Sequence, residues 1–367
     1  MKADLIVIGA GIVGSACAHE FAARGLRVLL LDDHRGGATA AGMGHLVAMD
    51  DNPAELALSG YSLELWRQWA PRLDAACAYR TCGTLWLADS DAEVAEAERK
   101  QACLKDRGIA CQWLDAAALR QAEPLLRQGL RGALRVADDA IVYAPSAARA
   151  LLDHPLIQCR AETVTRLDGN RVRLADGRWL NAQAVVLANG IGATGLCPEL
   201  PIRPKKGHLL ITDRYPVTIH HQLVELGYCS SAHASTGTSV AFNAQPRPTG
   251  QILLGSSRQF DSLDPQVEGA VLARLLERAL DYLPAIARMS VIRSWSGFRA
   301  ATPDGLPLIG EHPQQSGLWL AVGHEGLGVT TAPGSARLLA AQLFDENAAI
   351  DPTPYLPGRF LAPQARP

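Results

Sequence analysis

Hydrophobic and polar positions alternate along the chain in a pattern that opens with an unmistakable unit. Leu5-Ile-Val-Ile8 is an unbroken apolar run of strand length, Gly9-Ala-Gly-Ile-Val-Gly14 interrupts it, and His19-Glu-Phe-Ala-Ala-Arg-Gly25 continues as an amphipathic stretch. A second apolar run, Arg27-Val-Leu-Leu-Leu31, follows at once. This order predicts a buried parallel strand, a tight turn, a helix ended by Gly25, and a second strand. Asn52-Pro53 places an N-cap and a first-turn proline ahead of a helix running to about Trp69. Tyr79 to Ala88 reads as a strand pair around Gly83, and Ser90-Asp-Ala-Glu93 as a capping box opening a polar helix to Arg107. A shorter helix is expected from Asp115 to Leu126, a strand from Leu130 to Val136, and a helix from Ser146 to Leu152 behind Pro145.

From Ile157 the period returns to two. Turns at Asp168-Gly-Asn170 and Asp176-Gly177 join short strands, ending in Ala184-Val-Val-Leu-Ala-Asn-Gly190. Residues 201–290 predict strands over His208–Thr212, Ser239–Asn243 and Gln251–Gly255 and a helix entered through Asp264-Pro265, hence a separate antiparallel sheet. Near the end, the apolar run Leu318–Val322 meets a glycine-rich loop, and a helix is expected from Pro333 to Phe344. This is a second strand–turn–helix. The proline-rich tail after Asp351 reads as loosely ordered.

Composition narrows the classes. At 367 residues the chain exceeds one average domain, and 48% hydrophobic against 20% charged residues is globular. A balance of 35 Lys+Arg against 37 Asp+Glu gives no basic excess for nucleic acid. No apolar run reaches the roughly 18 residues of a membrane span. Ala16-Cys-Ala18 mimics a secretory cleavage site, but the stretch runs straight into the amphipathic helix. The eight cysteines contain no C-x-x-C pair, which argues against zinc and iron–sulfur sites and suits a reducing, cytoplasmic setting, including the inner face of a membrane. The 33 glycines matter for where they fall: clusters at 9–14, 36–44 and 323–328 are far apart in sequence.

The first cluster carries chemistry. Gly9, Gly11 and Gly14 stand in G-x-G-x-x-G spacing, serving the turn, the approach of backbone to a pyrophosphate and close helix–strand packing. The helix start offers unpaired N–H groups to phosphate, and Asp32, 21 positions after Gly11, can accept ribose hydroxyls. The fingerprint alone leaves NAD and FAD open. Arg35 to Val47 is a loop of small residues in which Thr39 can donate to a phosphate. The distant second strand–turn–helix suits FAD, whose far ring needs positive potential from another helix start.

Gly9 to Asp32 followed by Ala38-Thr-Ala-Ala-Gly-Met-Gly44, together with Trp295-Ser-Gly-Phe-Arg299 and Gly323-His-Glu-Gly-Leu-Gly-Val-Thr-Thr-Ala332, resembles the D-amino acid oxidase/glycine oxidase superfamily of FAD enzymes. Within it the chain is most similar to the bacterial D-hydroxyproline dehydrogenase and hydrogen cyanide synthase branch. The resemblance implies a mixed α/β and α+β fold: a Rossmann-like FAD-binding domain of the glutathione-reductase/DAO type over 1–75, 140–200 and 291–367, and a discontinuous antiparallel-sheet substrate domain over 76–139 and 201–290. It implies FAD contacts at Gly9, Gly11, Ile12, Val13, Gly14, Asp32 and Asp33, then Ala38, Thr39, Ala40, Met43, Gly44, His45 and Leu46. Further contacts are implied at Val164, Asn189, Gly190, Gly326, Leu327, Gly328, Val329 and Thr330. Arg299 is the expected anchor of a substrate carboxylate, because a guanidinium fork holds a carboxylate in fixed orientation. His324 is expected at the edge of the active site and Tyr228 in the pocket wall. Glu325 is a candidate to repel anions or hold a substrate ammonium, Lys205-Lys206 reads as a solvated strand entry, and Asp304-Gly305 as a turn. The expected reaction is oxidation of the C–N bond of a small D-amino or cyclic imino acid, with cis-4-hydroxy-D-proline as leading substrate and hydride passing to flavin N5. Glycine or sarcosine is the alternative. Oxygen, a quinone or a partner subunit would take the electrons, in a homo- or hetero-oligomer without metal.

Overall fold

A computed structural model describes residues 3–227, 237–260 and 262–361. The apolar runs of the sequence become one six-stranded sheet. Its order is Leu308–Glu311, Leu318–Val322, Ala184–Leu187, Leu5–Ile8, Val28–Asp32 and Ile157–Ala161. All neighbours are parallel except the Leu308–Glu311 edge. Strands covered on both faces must be apolar throughout, and Leu5–Ile8 and Ala184–Leu187 are buried at every position. One face packs on the helices Ile12–Ala23, Pro53–Trp69 and Gly328–Leu343, through Phe21, Trp66 and Leu339 among others. The other face is covered by Leu167, Val172 and Leu174 of a three-stranded meander spanning Val164–Asp168, Arg171–Leu174 and Trp179–Asn181.

The second sheet has nine strands. Their order is His324–Glu325, Val291–Ala301, Arg203–Thr212, Ile252–Phe260, Thr238–Pro246, Gln222–Glu225, Thr84–Ala88, Gly132–Val136 and Cys111–Asp115. Its outer face buries Leu85, Leu210, Phe242 and Leu254 under the helix Gly269–Tyr282. The other face turns Thr84, Trp86, Gln222 and Val224 inward by strand alternation. By hydrogen bonding, residues 291–301 and 324–325 belong to this large sheet. Among the described residues no helix is long and apolar enough to cross a membrane.

Several sequence expectations shift. The helix Pro53–Trp69 forms as read, with Asn52 Oδ1 accepting from Glu55 N at 2.8 Å. Tyr79–Ala88 is no hairpin: Arg80–Thr81 pairs with Ala140–Ile141, while Thr84–Ala88 pairs with Gly132–Val136 and Gln222–Glu225. Gly83, at φ +71°, redirects the chain between two sheets instead of closing a turn. The loop after Asp32 contains a short helix, Ala38–Ala41. The helix expected from Asp115 spans only Ala116–Ala122. Asp264-Pro265 does not start a helix, because Asp264 Oδ1 accepts from Gln266 N at 2.9 Å in a local turn and the helix begins at Gly269. The described part of the tail, 351–361, packs on the domain through Tyr355, which is 1% exposed and donates its hydroxyl to Ala54 O at 2.6 Å.

The largest correction concerns the C-terminal helix. It begins at Gly328 and contains Pro333. A proline inside a helix leaves the carbonyl four residues earlier without its N–H partner. Here Trp66 Nε1 donates to that carbonyl, Val329 O, at 3.0 Å, and also to Thr330 O at 3.1 Å. The indole of a neighbouring helix completes the bond that proline cannot make.

Candidate active site

The cradle is built from backbone. Gly9 sits at φ +103°, and a Cβ there would lie 2.7 Å from Ala188 O; a Cβ on Gly14 would lie 1.9 Å from Gly9 O. No side chain fits at either position, so both glycines are required by packing. Ala10 N donates to Asp32 Oδ2 at 2.6 Å and Ile12 N to Thr39 Oγ1 at 2.9 Å, which fixes the turn from both sides. Gly11 offers no side-chain cap to the helix Ile12–Ala23; Thr39 takes its first N–H, and the next ones are not capped by a side chain at Gly11. Asn189 Oδ1 is buried beside Gly9 without a hydrogen-bond partner, as expected of a wall that a polar ligand completes.

The second turn meets the first. Val13 Cγ2 would lie 3.8 Å from a Cβ on Gly328, and the helix Gly328–Leu343 also lacks a side-chain cap, at Leu327. Thr330 Oγ1 donates to His45 O at 2.9 Å, tying the C-terminal turn to the Met43–Leu46 segment. Gly44, at φ +81°, packs so tightly that a Cβ would lie 1.9 Å from Val142 O. Thus the three glycine clusters, distant in sequence, line one long site. Two helix starts without an N-cap side chain, a carboxylate at the end of the second strand and an orphaned amide oxygen fit FAD.

Side chains take over on the large sheet. Arg299 and Lys205 are cross-strand partners, so their side chains share one face. Arg299 Nη1 donates to Ser257 O at 3.1 Å, and its guanidinium passes over Gly207, where a Cβ would lie 2.7 Å from Nη1. A Cβ on Gly326 would lie 3.5 Å from Arg299 Nε, which brings the arginine against the C-terminal turn. Lys205 Nζ pairs with Glu325 Oε1 at 3.0 Å and lies 4.8 Å from the Phe260 ring centre. Burial opposes ionisation of Glu325, yet the Arg299, Lys205 and Arg258 charges hold its carboxyl down at about 2. His324 is buried, with Nε2 2.9 Å from Ser335 Oγ, and burial pushes it down to about 3. It stays neutral at ordinary pH.

The expected residues therefore divide. Gly9 to Gly14, Asp32, Thr39, His45, Asn189, Gly190 and Gly326 to Thr330 converge, and Arg299 and His324 join them from the strands Val291–Ala301 and His324–Glu325. Ala38 and Ala40 lie on the short helix Ala38–Ala41, Met43 touches Gly255, and Leu46 is fully buried in the core. Asp33 pairs with Arg35 at the surface at 3.1 Å, and Val164 opens the outer meander opposite Leu174. Tyr228 lies outside the described residues.

Two readings are corrected. Lys205 and Lys206 are 9% and 0% exposed, not solvated, because Lys205 pairs with Glu325 and Lys206 with Glu268 at 2.8 Å. Glu325 is consumed by these cations and offers no spare carboxylate to an ammonium. Lys205 and Arg258 were missed as site residues; the register that sets Lys205 beside Arg299 spans 94 residues and leaves no local mark.

Comparison with known proteins agrees with this geometry. The family model DAO, FAD dependent oxidoreductase, matches residues 4–342. The chain is 29% identical to a glycine oxidase of Pseudomonas putida, covering 97% of this chain and 99% of that one. It is 26% identical to the hydrogen cyanide synthase subunit HcnC of Pseudomonas aeruginosa, covering 97% and 96%. The crystal structure of glycine oxidase from Geobacillus kaustophilus superposes with a TM-score of 0.86 at 26% identity, covering 96% of this chain and 98% of that one. With a family match over nearly its whole length and a backbone cradle shaped for a dinucleotide, the chain belongs to the DAO family of FAD-dependent oxidoreductases.

Proposed function

We propose that the protein oxidises the C–N bond of a small D-amino or cyclic imino acid, with cis-4-hydroxy-D-proline as the leading substrate. The observation that carries this reading is Arg299, held by Ser257 O on the inward face of the large sheet and against the Gly326 turn. A guanidinium so fixed orients a carboxylate bidentately. Beside it Glu325 pairs with Lys205 and is held ionised by the Arg299, Lys205 and Arg258 charges together, which leaves this corner of the site, among the described residues, with more cations than acids. His324, neutral and hydrogen-bonded with Ser335, closes the edge of the site without carrying a charge. Bound FAD supplies a two-electron acceptor for the α-hydrogen, so the chain needs to position and desolvate the substrate rather than furnish a base.

FAD would be held at Gly9–Gly14, Asp32 and Asp33, Ala38–Ala40, Met43–Leu46, Val164, Asn189–Gly190 and Gly326–Thr330. We divide the chain into a FAD-binding part around the six-stranded sheet and a substrate part around the nine-stranded sheet, with residues 291–301 in the latter by hydrogen bonding. A second reading, a flavin subunit delivering electrons to a partner chain, is supported by similarity to HcnC and to one chain of the opine oxidase of Rhizobium meliloti, both named as subunits.

Anaerobic bleaching of the flavin spectrum tests the reading. With cis-4-hydroxy-D-proline, D-proline, L-proline, D-alanine, sarcosine and glycine, bleaching should be fastest with the hydroxyproline. Faster bleaching by glycine or sarcosine would replace it with the glycine-oxidase reading. Reoxidation by an artificial acceptor but not by air would support the subunit role.

A further inference from the structure

The large sheet is irregular at the point where Arg299 crosses it. Strands Arg203–Thr212 and Ile252–Phe260 pair Lys206 with Gln259 and then Leu210 with Leu254, and the register shifts between the two pairs. Residues 207–209 on one strand therefore face residues 255–258 on the other, so Ile252–Phe260 carries a β-bulge of one extra residue. A bulge interrupts the ladder, and a residue inside it must be directed by something else. Arg299 reaches across Gly207 into this stretch and donates from Nη1 to Ser257 O at 3.1 Å. Any Cβ on Gly207 would lie 2.7 Å from Nη1, so a bare backbone is what lets the guanidinium pass.

Ser257 is directed through its side chain. Its Oγ accepts from the backbone N–H of His208 at 2.9 Å, a proton that a regular ladder gives to a carbonyl of the neighbouring strand. The same Oγ lies 2.9 Å from His208 Nδ1. His208 is 0% exposed and is held at its other ring nitrogen too, where the backbone N–H of Glu268 donates to Nε2 at 3.2 Å. A nitrogen that accepts carries no proton, so the neutral ring bears its proton on Nδ1 and donates it to Ser257 Oγ. Burial above all holds His208 below its ordinary value; the Lys206 and Arg299 charges push the same way and the Glu268 carboxylate opposes them. Glu268 is itself tied down just ahead of the helix Gly269–Tyr282, its carboxylate accepting from Lys206 Nζ at 2.8 Å and Gln259 Nε2 at 3.0 Å.

We infer that Ser257 and His208 are positioning residues for Arg299: hydrogen bonds running from Glu268 N through the His208 ring to Ser257 Oγ set the direction of the Ser257 carbonyl, and that carbonyl sets the guanidinium. Lys206 and His208 both meet Glu268 on the helix face of the sheet, whereas Lys205 and Arg299 lie on the opposite face, so support is passed through the sheet from one side to the other. With Nη1 spent on Ser257 O, Nε and Nη2 form the edge that meets a carboxylate bidentately. Fixing a long side chain beforehand removes the cost of ordering it from the binding step. The inference rests on Arg299 as the carboxylate anchor.

The test is a titration of the FAD-loaded protein with pyrrole-2-carboxylate, a ring carboxylate with no hydrogen on the carbon that bears the acid, read from the flavin spectrum. It is joined to the rate of anaerobic flavin reduction at saturating concentration of whichever panel amino acid bleaches the flavin fastest. Ser257→Ala should raise the dissociation constant about tenfold and change the saturated reduction rate by about twofold or less. Ser257→Thr, which keeps the hydroxyl, should stay within about threefold of the parent. His208→Leu, close in size and without ring nitrogens, should weaken binding about fivefold, and the two changes together no more than Ser257→Ala alone, because both act along one chain of bonds. His208→Leu keeps the test decisive if Ser257→Ala fails to take up FAD. Unchanged affinity in Ser257→Ala or His208→Leu, equal loss in Ser257→Thr, multiplying losses in the pair, or a saturated rate that falls as far as the affinity would overturn the inference. Weakened binding in Arg299→Ala beside parent-like Ser257→Ala overturns the positioning role alone; affinity that survives Arg299→Ala removes the anchor reading and this inference with it.

Discussion

The two sheets solve opposite problems. The six-stranded sheet is apolar at its centre and presents backbone to the ligand: glycine turns, helix starts, and one carboxylate, Asp32, at a strand end. The nine-stranded sheet buries Lys205, Lys206, His208, Glu225, Arg258 and Gln259, most with named partners among neighbouring strands and helices. The difference teaches how the work is divided. A cofactor common to a family is held by main-chain geometry, whereas a substrate is selected by side chains that must be charged and dry. Lys206 and Glu225, on the side of the helix Gly269–Tyr282, anchor that helix through Glu268 and Arg278.

Gly14→Ala should break the backbone half outright. Its Cβ would meet Gly9 O, so the purified protein should be colourless and the absorption spectrum should show no flavin. Arg299→Ala attacks the side-chain half: losing a desolvated charged contact should cost about 3–5 kcal/mol, several hundred-fold in substrate binding, with FAD retained. Retained turnover at low substrate would remove Arg299 from its role.

Glu55 sharpens the contrast, because it is a buried acid on the helical side. It lines a small pocket with Leu58, Leu306, His324 and Thr331, and burial pushes its carboxyl up to about 8. Its folded value lies above its unfolded one, so the folded state holds the extra proton between roughly pH 4.5 and 8 and stability falls as pH rises through that window. Glu55→Gln should therefore be more stable than the parent at pH 8 by about 4 kcal/mol, and nearly equal at pH 4, in denaturant titrations. Trp66→Phe should have the smallest effect, about 1–2 kcal/mol, from leaving Val329 O unpaired. Equal loss in Pro333→Ala/Trp66→Phe and Trp66→Phe alone would show that the indole does not stand in for the proline N–H.

The backbone half was readable in advance because its constraints are local. Gly9, Gly11, Gly14 and Asp32 lie within 24 residues, and Asn52-Pro53 and Ser90 announce their helices by short-range capping. The start of the C-terminal helix was not, since proline normally marks a first turn and only Trp66, over 260 residues away, permits it inside. Lys205-Lys206 looked solvated for the same reason: their partners Glu325 and Glu268 lie far along the chain.

By itself the sequence determined the strand, glycine turn and helix from Leu5 to Asp32, a second glycine turn ahead of the C-terminal helix, and an FAD-dependent family. Only the tertiary structure decided which charges are spent on one another. Glu325 goes to Lys205, Glu268 to Lys206, and Glu225 to Arg278. Local patterns encode backbone conformation, which depends on near neighbours; the pairing of buried charges depends on strand register and packing across hundreds of residues, and no local pattern records it.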